Sequence, residues 1–108
     1  MTHGRQVRDW ILAEDVASGF CAALERGPFD GRTLELGTGV GISLLTVVQT
    51  VYRLIGRGGN LLIGRLPARP GEAAEQVADP APAAQLLGWR ATVPLEEGLK
   101  RVIYCARP

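Results

Sequence analysis

Between Ser43 and Gly56 the chain carries Leu44, Val47, Val48, Val51, Tyr52 and Ile55 at the 3.6-residue spacing of an amphipathic helix. Ser43 can cap its start, and Gly56 with Gly58-Gly59 ends it. A broad apolar face of this kind has to be covered by other elements, so the chain must build layers around it. A second helical pattern runs from Glu14 to Glu25, with Val16, Phe20, Ala23 and Leu24 in phase, Asp15 near its positive end and Gly27-Pro28 as a stop. Asp79-Pro80 opens a short helix to about Leu87, stopped at Gly88. A last one starts at Leu95, with Leu99, Val102, Ile103 and Ala106 on one face. Arg32–Leu36 and Asn60–Leu66 are short, apolar and bounded by turn residues, which predicts strands. Four of the seven prolines fall between Pro67 and Pro82, which predicts an ordered loop there. The expectation is a single α+β domain over residues 1–108, with about four helices and two to three short strands.

At 108 residues and 46% hydrophobic content the chain is long enough for one core. Twelve basic and eleven acidic residues leave a net charge of +1, so no general field attracts nucleic acid or an anionic membrane, and any anion site must be local. No apolar run reaches the roughly 20 residues of a membrane span, and the N-terminus lacks the order of a signal peptide, so a cytoplasmic location is expected. Cys21 and Cys105 fall in helical segments and read as buried or half-buried thiols, since two scattered cysteines make neither a zinc site nor a disulfide framework. His3 is the single histidine, which leaves a metal site or a Ser-His-Asp arrangement without support.

Leu34-Glu35-Leu36-Gly37-Thr38-Gly39-Val40-Gly41 invites a comparison with the glycine turns of S-adenosylmethionine-dependent methyltransferases and of dinucleotide-binding folds. Both need an acidic residue at the end of the following strand, and none stands between Glu35 and Glu72. Ile42 also takes the place of the dinucleotide motif's third glycine. The plainer reading is a tight turn into a helix that needs positive φ angles. A methyltransferase fragment remains as a distant alternative. Trp10 and Trp89 read as packing anchors, and Asp15 and Asp79 as helix-start residues with no partner at the spacing of a general-base dyad.

Five short motifs follow one another at fixed order: Arg8-Asp9-Trp10 with Asp15-Val16, then Leu36-Gly37-Thr38-Gly39, then Arg69-Pro70-Gly71-Glu72 with Ala78-Asp79, then Leu87-Gly88-Trp89, then Leu95-Glu96-Glu97-Gly98-Leu99. From about Gly4 to Leu99 this series resembles the C-terminal third of extended short-chain dehydrogenase/reductases, the NAD-dependent nucleotide-sugar epimerases and dehydratases. The resemblance implies a fragment of a Rossmann-type enzyme that lacks the dinucleotide-binding half. The family's glycine-rich fingerprint is absent, and so is its Tyr-x-x-x-Lys pair: Tyr52 is followed four positions on by Gly56, and Tyr104 by Pro108. No catalytic residue, cofactor-binding residue or metal ligand is therefore assigned within these residues, although the family uses NAD.

The same resemblance assigns substrate binding to Arg8, Arg69 and Glu72. Arginines at the two matching positions contact nucleotide-sugar phosphates in the family, and the acid often faces the ribose or a nearby arginine. Two guanidinium forks from separate segments suit a pyrophosphate, since each can make paired charge-assisted hydrogen bonds. The alternative for these charges is ordinary surface pairing, Arg8 with Asp9 or Asp15 and Arg69 with Glu72. The expected partners are a nucleotide-sugar or nucleotide diphosphate and a separate Rossmann subunit or a second copy, with self-association through the Arg32–Leu36 strand and the Val16-Phe20-Leu24 face. A rival reading makes the chain an oligomerisation or protein-interaction module derived from that fold.

Overall fold

The computed structural model describes residues 1–106. Strand β1 (Val7–Asp9) leads into helix α1 (Ala13–Arg26), and strand β2 (Gly41–Ser43) runs directly into helix α2 (Leu44–Ile55). Strand β3 (Glu75–Gln76), helix α3 (Ala81–Leu87) and helix α4 (Leu95–Ala106) complete the order. The α+β class and the four helices agree with the sequence reading. Ser43 Oγ accepts from the Thr46 amide at 3.2 Å, and Gly56 closes α2 in the left-handed region at φ 75°. Asp79 Oδ1 accepts from the Ala81 amide at 3.1 Å and so caps α3 from just outside it.

The strands are not where the sequence places them. β1 is the central strand of a three-stranded sheet in the order β2-β1-β3. It runs antiparallel to β2, with Arg8 opposite Ile42, and parallel to β3, with Arg8 opposite Gln76. Residues 32–36 form no strand and pair with none of the three sheet strands. Leu34 and Leu36 pack instead against the core around Trp89. Residues 60–66 form no strand either. They exchange backbone hydrogen bonds with the N-terminus, Gly64 N to Thr2 O at 2.9 Å and Leu66 N to Met1 O at 3.1 Å. A turn at Ile63-Gly64, with Gly64 at φ 75°, breaks the extended run.

The core is Ala83, Leu87 and Trp89, held between α1 and α3 and flanked by Ile11, Ala22, Ala23, Phe29, Leu34, Leu36 and Ala91. The Trp89 indole N–H donates to Ser18 Oγ at 2.8 Å, so the ring is buried without an orphaned donor. Trp10, half-buried, donates to the Ile42 carbonyl at 3.0 Å and fastens the end of β1 to β2. α2 packs on α4, joined at the surface by Arg53 and Glu96 at 3.1 Å. The N-terminal residues complete the start of α2, where the Leu44 amide donates to Gln6 O and the Leu45 amide to Gly4 O. Both cysteines are exposed, against the expectation of burial, because Cys21 and Cys105 lie on the outer faces of α1 and α4. Phe20 and Leu24 are exposed as well, at 63% and 86%. Among the described residues no helix is long and apolar enough to cross a membrane.

Candidate functional site

β1 presents two carboxyl- and guanidinium-bearing neighbours with different fates. The Asp9 carboxylate accepts four hydrogen bonds: Thr38 Oγ1 at 2.6 Å and Thr38 N at 3.0 Å on Oδ1, Gly39 N at 2.9 Å and Ala78 N at 3.3 Å on Oδ2. Partial burial raises the Asp9 carboxyl, but those bonds outweigh it and hold the pKa below the usual carboxylate value. Asp9 is therefore a fixed anion that ties two loops to β1, and it has no free lone pair aimed at a base's task.

This arrangement also decides what the glycine turn can hold. A Cβ on Gly37 would lie 2.5 Å from Ala78 Cβ and 2.6 Å from Asp9 Oδ2, and Gly39 sits at φ 79° against Pro80. The turn is glycine-rich because Asp9, Ala78 and Pro80 close over it. Its amides at Thr38 and Gly39 already donate to a carboxylate, so they are not free to cradle a pyrophosphate. The residues present do not fit NAD. The same geometry removes the observation on which the methyltransferase reading stood.

Asp15 stands at the start of α1 as expected and has a further task. It lies in the first turn of α1, yet its carboxylate reaches away from the helix to the segment before α4, accepting Thr92 N at 3.1 Å, Val93 N at 3.0 Å and Thr92 Oγ1 at 3.1 Å. The residue is 5% exposed. Burial raises its carboxyl, and the bonds from Val93 and Thr92 together with the charge of Arg101 bring it below the ordinary value.

At the start of β1 an open cavity of about 270 Å³ lies between the N-terminal run and the turn at 68–74. Arg69 and Glu72 line it with His3, Arg5, Gln6, Ala73 and Ala74. The Arg69–Glu72 turn is closed by a bond from Glu72 N to Arg69 O at 3.2 Å. Two of the three residues assigned from sequence thus share one cavity. Arg8 borders it without lining it: its guanidinium donates to Val7 O at 2.8 Å and meets Glu72 Oε1 at 3.4 Å. Arg8 therefore pairs with Glu72 rather than with Asp9 or Asp15. Arg5 and Arg69 are exposed and have no ion-pair partner among the described residues. Sequence reasoning overlooked Arg5, His3 and Gln6. The period-2 relation of Gln6 to Arg8 along the strand was the signal that could have drawn attention to Gln6.

The profile of the family described as GDP-mannose 4,6 dehydratase matches residues 1–102. The chain belongs to this family. A UDP-glucose 4-epimerase from Caenorhabditis elegans is 40% identical over 98 residues, covering 87% of the chain and 28% of the relative. The crystal structure of UDP-glucose 4-epimerase with UDP-glucose from Thermotoga maritima superposes with a TM-score of 0.84 at 29% identity, over 94% of this chain and 31% of that one. MoeE5 in complex with UDP-glucuronic acid and NAD gives 0.83 at 29% identity, over 92% and 32%. The family bears out the resemblance to NAD-dependent epimerases and dehydratases. The chain spans less than a third of the length of these relatives.

Proposed function

We propose that these residues form the nucleotide-sugar-binding portion of an NAD-dependent epimerase/dehydratase, with no catalysis of their own. The observation that carries this reading is the cavity that Arg69 and Glu72 line beside Arg8, the two arginines coming from separate segments, β1 and the turn before β3. Exposed guanidinium groups at the mouth of a concave surface suit a diphosphate, while Glu72 orients Arg8 and offers an acceptor to a sugar hydroxyl. UDP-glucose and UDP-glucuronic acid are bound by two structural relatives, which supports this ligand class. Hydride and proton transfer need a nicotinamide cradle and a tuned base, and the turn at 37–39 and the saturated Asp9 supply neither. In the proposal those parts come from outside these residues.

Titrating UDP into the chain should move the amides of residues 5–10 and 65–73 with modest affinity, and the Arg8→Ala, Arg69→Ala double variant should lose the effect. Unchanged shifts in that variant would remove the phosphate clamp. The exposed Phe20 and Leu24 favour a second reading, an interaction module whose α1 face is covered by a separate Rossmann subunit or a second copy. Concentration-dependent mass without UDP binding would favour that one.

A further inference from the structure

The stretch from Leu36 to Gly71 contains no acidic residue and four arginines, Arg53, Arg57, Arg65 and Arg69, although the whole chain carries a net charge of +1. Positive charge is therefore concentrated in one part of the sequence. Arg53 is paired with Glu96, whereas Arg57, Arg65 and Arg69 are exposed and have no ion-pair partner among the described residues. The loop that carries them runs back along α2. Gly58 lies against the Tyr52 ring at the end of the helix, and further on Leu62 O accepts from the Met1 amine at 2.9 Å, Gly64 N donates to Thr2 O and Leu66 N to Met1 O. The same N-terminal run supports the start of α2, where Leu45 N donates to Gly4 O. The loop thus spans the roughly 18 Å of a 12-residue helix and ends near exposed Arg5, which shares a cavity with Arg69.

This loop also exposes aliphatic side chains. Leu62 is 53%, Ile63 48% and Leu66 60% exposed around the turn at Ile63-Gly64, and the bonds to Met1 and Thr2 fasten the backbone that displays them. Glu72, the next acid along the chain, is paired with Arg8. Apolar side chains bracketed by unpaired arginines match a surface of negative headgroups with hydrocarbon beneath. Single-stranded nucleic acid offers the same phosphate charge, but its bases are held by aromatic stacking, and no aromatic residue stands between Tyr52 and Trp89. We infer that loop 57–66 is a membrane-docking surface: Leu62, Ile63 and Leu66 enter the headgroup region of an anionic bilayer, while Arg57 and Arg65, flanked by Arg5 and Arg69, contact its lipid phosphates. Loop 57–66 excludes Arg8, Arg69 and Glu72, so this surface and the nucleotide cavity can be altered independently.

The test is flotation of the whole chain with vesicles of phosphatidylcholine, alone or mixed roughly two to one with phosphatidylserine, which supplies the negative charge. The chain should float with the mixed vesicles and stay at the bottom with the neutral ones. Raising the salt from about 0.1 M to about 1 M, which shortens the screening length from about 10 to about 3 Å, should weaken the binding about ten-fold. Arg57→Gln, Arg65→Gln should weaken it about ten-fold, and Leu62→Ser, Ile63→Ser by about as much, with the melting temperature unchanged because all four side chains are exposed. Both variants should bind UDP as the unaltered chain does. No flotation with the mixed vesicles, or equal flotation with the neutral ones, would overturn the docking surface. Unchanged flotation in either variant would overturn it as well, and so would a chain that binds oligouridylate and ignores the vesicles. If the serine variant fails to fold, the lipid and salt comparisons on the unaltered chain still decide.

Discussion

Asp9 and Gln6 belong to the same N-terminal run, yet one is saturated and the other unfinished. Asp9 accepts from Thr38, Gly39 and Ala78 and leaves nothing to a ligand, whereas Gln6 is buried with an acceptor that nothing in the described chain satisfies. Asp15 repeats the first pattern, spending its carboxylate on Thr92 and Val93. The motif aspartates are therefore architecture, and the recognition proposed above falls to the cavity at the start of β1, where Arg5, Arg69 and Gln6 gather. Residue type alone does not separate these roles. Satisfaction of hydrogen bonds does.

The comparison breaks most visibly at Asp15. Asp15→Ala leaves the part-buried amides of residues 92 and 93 without their acceptor, and we expect a loss of about 1–3 kcal/mol in urea unfolding. A loss below about 0.5 kcal/mol would mean that the carboxylate is not structural. Acid provides the next largest effect. Asp9 and Asp15 both have folded-state pKa values below the ordinary carboxyl range, so their contribution is present above the unfolded value near 3.8 and is lost as pH falls through the lower folded values. Stability should thus drop as pH falls below about 4, and an Asp9→Asn, Asp15→Asn variant should show a shallower slope in that window than the parent chain.

On the cavity side, at the start of β1, the expected effect on stability is small and the proposed effect on binding is not. Arg69→Ala should change unfolding free energy by less than about 0.5 kcal/mol, as surface substitutions do, while weakening UDP measurably by calorimetry. A large stability loss there would erase the contrast between the two sides. The smallest change is expected from Phe20→Glu, Leu24→Glu, which alters no buried contact of α1. If that face is covered by a second copy, sedimentation should show a mass rising with concentration for the parent chain and a constant monomer mass for the variant.

Much of this was legible beforehand, and the helices show why. α2 follows its apolar period from Ser43 to Gly56 residue for residue, and α1, α3 and α4 lie within a residue or two of their punctuation. The strands were illegible because two or three residues are too few for an alternating pattern, and because their pairing is non-local: Arg8 meets Ile42 and Gln76. Runs that looked like strands, 32–36 and 60–66, had the right composition, but tertiary context used them otherwise: Leu34 and Leu36 pack on the Trp89 core, and residues 64 and 66 bond to Thr2 and Met1. In the site, the family motif named Arg69 and Glu72, which line one cavity, and Arg8, whose guanidinium meets Glu72 and Val7 O at its border. It does not name Arg5 and Gln6, which line the same cavity through a chain path that no motif encodes.

The parallel pairing of β1 with β3 has a consequence for the order of events during synthesis. The Val7 amide waits for Ala74 O, and Asp9 for the Ala78 amide, so the first ten residues cannot reach their final hydrogen bonds until most of the chain has left the ribosome. α2 can coil on its own as soon as it is made, but its first amides also depend on that N-terminal run. A nascent chain halted before residue 68 would hold helices around an unfinished sheet, with the arginine cavity still unformed because one of its walls had yet to be translated.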